Sequence, residues 1–179
     1  MKIHSFPEKI TAILNNVNAP DRLKRHLHLV YSTAKEFLYL IKKEWPELEL
    51  KEELILFGSA THDIGKSKIK NELYEHGNQH EKVGKQLLSE LGFTESESRF
   101  TETHGNWQTP SLPLEDLIVI LADKLWKGKR IYELEEKIGQ IISSELQLNY
   151  WQLYTKFNAI LEKISLGADE RIAWQLNKS

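Results

Sequence analysis

The side chains of this chain best suited to chemistry are His26, the adjacent pair His62 and Asp63, then His80, His104 and Asp123. Four imidazoles and two carboxylates are donors through which proteins hold iron, manganese, zinc and similar ions when thiolates are absent, and the chain has no cysteine. Taken singly, each has a structural alternative. A lone histidine on an apolar helix face is more often a satisfied core residue than a ligand. A histidine at a helix C-terminus complements the negative end of the helix dipole. The dipole accounts for His62 and His104, each at the end of a helical run, but it repels Asp63. Asp123 is the sharper anomaly, because it follows "LIVILA" on the most apolar helix, where an unpaired carboxylate is expensive.

The elements that must position these residues read as helices throughout. A short helix opens at Pro7 and runs to about Asn16. A long one extends from about Arg22 to Glu44, with Asp21 as its expected N-cap and Pro46 stopping it. The next covers about 51–63 and is expected to be terminated by Gly65. The stretch "NELYEHGN" reads as a loop, followed by a helix from about Gln79 to Leu91 closed by Gly92. Thr94 and Glu97 form a capping-box pattern for a helix reaching His104. After the loop "NWQTPSLP", helix is expected over about 114–129, over 132–165 in one piece or two, and in a last amphipathic turn after Gly167. No segment alternates with a two-residue period between turn signals. The expected fold class is all-α, a compact multi-helix bundle, with residues 1–179 forming one domain.

Helix geometry separates two neighbouring histidines. Leu23, Leu27, Val30, Ala34, Phe37 and Ile41 form one stripe, and His26 lies three residues after Leu23 and four before Val30. His28 falls about 200° further round and should face solvent. His4 and His76 are expected at the surface too. On the fourth helix His80 has Gly84 one turn on, which leaves room beside the imidazole. The five tryptophans, Trp45, Trp107, Trp126, Trp151 and Trp174, read as packing residues.

The structural alternatives must all hold together to explain six inward-facing polar residues. One metal centre explains them at once. Helix bundles build carboxylate and histidine sites from ligands projecting inward off facing helices. The set is large enough for two ions, and a carboxylate such as Asp63 is placed to bridge them.

Composition narrows the classes. Charged residues make up 28% of the 179 and the net charge is −2, so no nucleic-acid polymer is expected as a partner. The longest apolar run, Leu117–Ala122, is far too short to span a bilayer. The start "MKIHSFPEKITAIL" lacks the pattern of a signal peptide. A soluble cytoplasmic protein is expected.

The ordered set His26, His62-Asp63, His80, His104, Asp123 resembles the HD-domain metal-dependent phosphohydrolases. "HDIG" with Lys66 is that superfamily's most recognisable string, "HEKVG" resembles the segment that its dinuclear members add, and "ILADKLWKGKR" resembles its last-ligand helix. The resemblance covers about 22–130 and leaves 131–179 as a helical extension, expected to cap the core or form a homodimer interface. No GYP string follows His104, where "GNWQTP" stands instead, so the large signalling subfamilies are not matched.

The resemblance implies hydrolysis of a phosphoester, in a nucleotide or another small phosphorylated metabolite, with a divalent transition metal as cofactor. Two ions are expected, with iron, manganese, cobalt, nickel and zinc all compatible. It places His26, His62, Asp63 and Asp123 around one ion and Asp63, His80 and His104 around the other. Lys66 is expected to contact the phosphate in catalysis. Lys127 and Arg130, four and seven residues after Asp123, are expected to bind substrate if the helix continues that far. A solvated basic helix end is the alternative for "KGKR". Two other activities remain open on the same ligands: a di-iron oxygenase and a non-catalytic nucleotide-binding module.

Overall fold

The structure of the chain is a computed structural model that describes residues 3–176. Among these residues it is all-α, with no strand. Its helices are α1 (Glu8–Asn16), α2 (Asp21–Glu44), α3 (Glu52–Thr61), α4 (Gln79–Glu90), α5 (Glu95–Ser98), α6 (Phe100–Thr103), α7 (Leu114–Leu125), α8 (Tyr132–Glu145), α9 (Tyr150–Ser165) and α10 (Ala168–Leu176). Two 3₁₀ turns, Ile64–Ser67 and Lys70–Leu73, link α3 to α4.

The bundle is organised around α2 and α7. Helix α7 carries apolar residues on every side, so it must be buried all round, and its residues 116–123 are buried without exception. The long α2 packs against α3, α7, α9 and α10. Leu29, Val30, Ala34, Phe37 and Ile41 of α2 join the core that α7, α8 and α9 fill. Leu23, Leu27 and Tyr31 join a second core made with α1, Phe57 and Leu88. Each fully buried leucine or phenylalanine contributes about 1.5–3 kcal/mol of transfer free energy.

Several local expectations change. Asp21 is not a cap: Pro20 holds that position, and Asp21 begins the helix, where its charge favours the dipole. Helix α3 already ends at Thr61. Gly65 lies in the first 3₁₀ turn and is absent from the glycines with positive φ, so it is no left-handed terminator. Its lack of a side chain lets the turn press on α4, because a Cβ there would overlap the His80 carbonyl oxygen. The helix expected over 94–104 is two single turns meeting at Arg99, and Thr94 and Glu97 form the anticipated capping box. Helix α7 stops at Leu125, with Gly128 at φ 72°. The stretch 132–165 divides into α8 and α9, with Gln147 at φ 54° between them.

The surface histidines also divide. His76 is exposed. His4 is half-buried, its backbone N–H donating to Ser32 Oγ. The His28 ring is half-buried, stacked on Phe6 at 3.8 Å between centroids, and burial lowers its pKa. Trp151 is exposed rather than packed, with edge-on ring contacts to Tyr150 and Tyr154. The other four tryptophans pack on the core.

Candidate metal centre

Five segments bring the six residues together. His26 comes from the second turn of α2, His62 and Asp63 from the end of α3, His80 from the first turn of α4, His104 from the residue after α6, and Asp123 from the last turn of α7. The ligand atoms form two clusters, His26–His62–Asp123 and Asp63–His80–His104, each able to hold a metal ion. Asp63 joins them. Its Oδ2 lies 3.2 Å from His26 Nε2 and 3.8 Å from His62 Nε2, while its Oδ1 lies 3.1 Å from His80 Nε2 and 3.3 Å from His104 Nε2. Asp123 Oδ1 completes the first cluster at 3.5 Å from His26 and 3.9 Å from His62.

The outer nitrogens explain which way the rings point. Nδ1 of His62 faces the Ser59 carbonyl, Nδ1 of His104 the Phe100 carbonyl, and Nδ1 of His80 the Glu72 carboxylate. An acceptor at Nδ1 places the ring proton there and leaves Nε2 with its lone pair directed inward. The Nε2 atoms of His26 and His62 are 3.3 Å apart, as are those of His80 and His104. For His80 and His104, each with an acceptor at Nδ1, two lone pairs at that separation call for a cation between them. Asp63 Oδ1 is buried and accepts no hydrogen bond, so it is an anionic oxygen lacking the partner that its desolvation demands. This donor set fits a divalent cation.

The electrostatics divide the rings: burial lowers the pKa of His80, but the Asp63 and Glu72 carboxylates outweigh it and raise that pKa overall, whereas His62 is driven neutral. Burial pushes the pKa of His62, 0% exposed, down to about 3, so the ring is neutral as a metal ligand must be. Burial pushes the Asp63 carboxyl up, but His62 and the imidazoles of His104, His26 and His80 outweigh it and hold the carboxyl well below the usual range. Asp123 is buried too, yet His26, Lys124 and His62 hold it ionised.

A model of the HD domain matches residues 22–126, from the start of α2 to just past the α7 aspartate. The chain belongs to the HD-domain family. That family is a superfamily of metal-dependent hydrolases, which agrees with the donor set. Within this HD domain all six ligand candidates fall inside the match. An uncharacterized protein of Methanocaldococcus jannaschii, MJ0778, is 32% identical over 146 residues, covering 73% of this chain and 81% of that one. No solved structure matches the chain.

The HD domain opens beside its clusters into a cleft of about 300 Å³, which His26, Asp63, Lys66 and Lys127 help to line. Lys66 Nζ sits 2.7 Å from Asp63 Oδ2, and Lys127 Nζ 3.9 Å from Asp123 Oδ2. Arg130 is not brought to the cleft. Its guanidinium is engaged by both carboxylate oxygens of Glu135 and by Asn158 Oδ1. The physical reason is the break after Leu125, which takes Arg130 off the face that carries Asp123.

Three polar residues of this region were not anticipated. Glu72 sits behind His80, Lys124 pairs with Asp123 at 2.8 Å, and Arg22 lines the cleft. Arg22 had a periodic signal, being one turn before His26 on α2. Glu72 had none, because it lies in a short 3₁₀ turn without α-helical period.

Proposed function

We propose that this HD domain is a phosphohydrolase that cleaves a phosphoester of a nucleotide or another small phosphorylated metabolite at a dinuclear centre. One observation carries the reading: the two oxygens of Asp63 face two different histidine clusters. His26, His62 and Asp123 would hold one ion, His80 and His104 the other, with Asp63 shared between them. The His and carboxylate donors suit iron, manganese, cobalt, nickel or zinc. When bound, two such ions supply Lewis acidity toward the phosphoryl oxygens and make water acidic enough to act as a nucleophile near neutral pH.

The chain's own residues do the rest. Lys66 and Lys127 border the clusters with positive charge and meet the phosphoryl oxygens. Asp63 and Asp123, kept ionised, balance the ions so that the cleft retains a net positive field. The walls of the cleft exclude water from one side of the reacting group.

The deciding experiment loads anaerobically purified protein with Mn²⁺, Fe²⁺, Co²⁺ or Ni²⁺. Each form is assayed for phosphate or nucleotide release from nucleotides, cyclic nucleotides and dinucleoside polyphosphates. Two metal ions per chain and phosphoester cleavage are expected, with Asp63→Ala losing both metal and activity. Substrate-dependent O₂ uptake without phosphoester cleavage, or full metal retention in Asp63→Ala, overturns the reading.

A further inference from the structure

The family match ends at residue 126, but the cleft does not. One wall is α10, which contributes Ile172, Gln175 and Leu176. That helix is anchored firmly. Arg171, buried, donates to the carbonyls of Leu125 and Trp126 at the end of α7 and of Ile164 in α9, while Gln175 Nε2 donates to the Arg22 carbonyl at 3.4 Å.

The wall has the chemistry of a binding surface. Ile172 is 36% exposed and Leu176 66%, apolar side chains left in contact with water beside a charged centre. Two cleft-lining residues also carry buried polar atoms without hydrogen-bond partners: Trp126 Nε1, a donor, and Gln175 Oε1, an acceptor. Trp126 is only 9% exposed. Unmade hydrogen bonds of this kind are costly to bury. Among the described residues that line the cleft, the one other such atom is Asp63 Oδ1, whose partner is the proposed ion. Arg22, which also lines the cleft, holds its guanidinium over the Tyr74 ring, 5.0 Å from the centroid. It stands one turn before His26, about 6 Å along α2.

We infer that α10 is the specificity wall of this cleft: Ile172, Gln175 and Leu176, with Trp126, receive the non-phosphate part of the substrate, a compact group with apolar faces such as one nucleoside. The inference rests on the phosphohydrolase reading for the position of the phosphate. The cleft, about 300 Å³, is at the lower end of small-molecule sites and suits a compact group. The apolar side chains of Ile172 and Leu176 contact the ring faces.

The test compares the manganese-loaded full chain with Leu176→Trp, which fills the cleft from an exposed position, and with Gln175→Ala. Phosphate release is measured from uridine and adenosine 5′-monophosphate and from methyl phosphate. Leu176→Trp is expected to lower the ratio of kcat/KM for the nucleotides over that for methyl phosphate about ten-fold or more, mainly through KM. Gln175→Ala is expected to lower it in the same direction. Equal changes for both substrate types, or none, overturn the assignment. Calorimetric binding of uridine 5′-monophosphate against inorganic phosphate separates the two failures. If nothing is cleaved but the nucleotide binds more tightly, and Leu176→Trp removes that preference, the wall stands and the hydrolase reading falls. If the unaltered chain shows neither a preference in turnover nor one in binding, the wall falls.

Discussion

Glu72 grips His80 from behind. Its Oε2 accepts both Nδ1–H of the imidazole, at 2.5 Å, and the His80 backbone N–H, at 3.1 Å, while Oε1 accepts the Gln79 N–H. One carboxylate thus caps the first turn of α4 and orients a ligand candidate. Acceptors on the outer nitrogen of a ligating histidine typically govern metal affinity by 10–100-fold. Glu72→Gln is therefore expected to weaken the cluster of His80 and His104 by about that factor. Titration calorimetry with Mn²⁺ reads it directly, and circular dichroism checks that the helix content is kept. Two sites of unaltered affinity would remove Glu72 from the centre's supporting structure.

Gly65 and Gly84 face each other across the contact between the first 3₁₀ turn and α4, and they should not tolerate alanine equally. A Cβ on Gly65 meets backbone, namely the His80 carbonyl and the Gly84 nitrogen, which cannot rotate away. A Cβ on Gly84 meets the Thr101 methyl at 3.1 Å, together with the Gly65 nitrogen at 3.2 Å. Gly65→Ala is expected to destabilise by about 1–3 kcal/mol or more, and Gly84→Ala by less. Urea denaturation of the metal-free chains gives the ordering, and a reversed order would refute it.

Arg171 is a buried cation whose guanidinium donates to three helix-end carbonyls. Those carbonyls carry the negative ends of α7 and α9, so the charge is stabilised by the helix dipoles. Arg171→Met keeps the apolar stem and removes the donors. It should cost about 1–3 kcal/mol and loosen α10. Thermal unfolding measures the first effect, and faster amide exchange confined to α10 the second.

Lys127 and Arg130 are separated by function on this structure. Lys127→Gln is expected to raise KM for a phosphorylated substrate about ten-fold, the loss of one charge-assisted contact. Arg130→Ala leaves the nearly buried Glu135 carboxylate unpaired, on the order of 3 kcal/mol of destabilisation, with no direct effect on KM. Steady-state kinetics and denaturation on the two variants discriminate them. A KM effect at Arg130 equal to that at Lys127 would return Arg130 to the cleft.

Much of the centre was legible because helices convert spacing into direction. The stripe from Leu23 to Ile41 selected His26 over His28, and the structure puts His26 Nε2 3.2 Å from Asp63. The apolar run before Asp123 marked a carboxylate that needed a partner. The same cue stood at Asp116, also fully buried on α7, yet its answer is ordinary: a two-point ion pair with Arg99 and a hydrogen bond from Thr103. Burial of a carboxylate can be read from periodicity, but its partner can lie on any other helix.

The amino-acid sequence by itself determined the all-α class, most helix positions and the six inward-facing donors, since these follow from local period and residue chemistry. Tertiary structure alone decided that the two oxygens of Asp63 face separate clusters, that Glu72 stands behind His80, that Arg130 turns to Glu135, and that α10 lines the cleft. Each of these depends on how separate helices and turns dock. Docking is set by side-chain packing summed over the whole core, which no local pattern encodes.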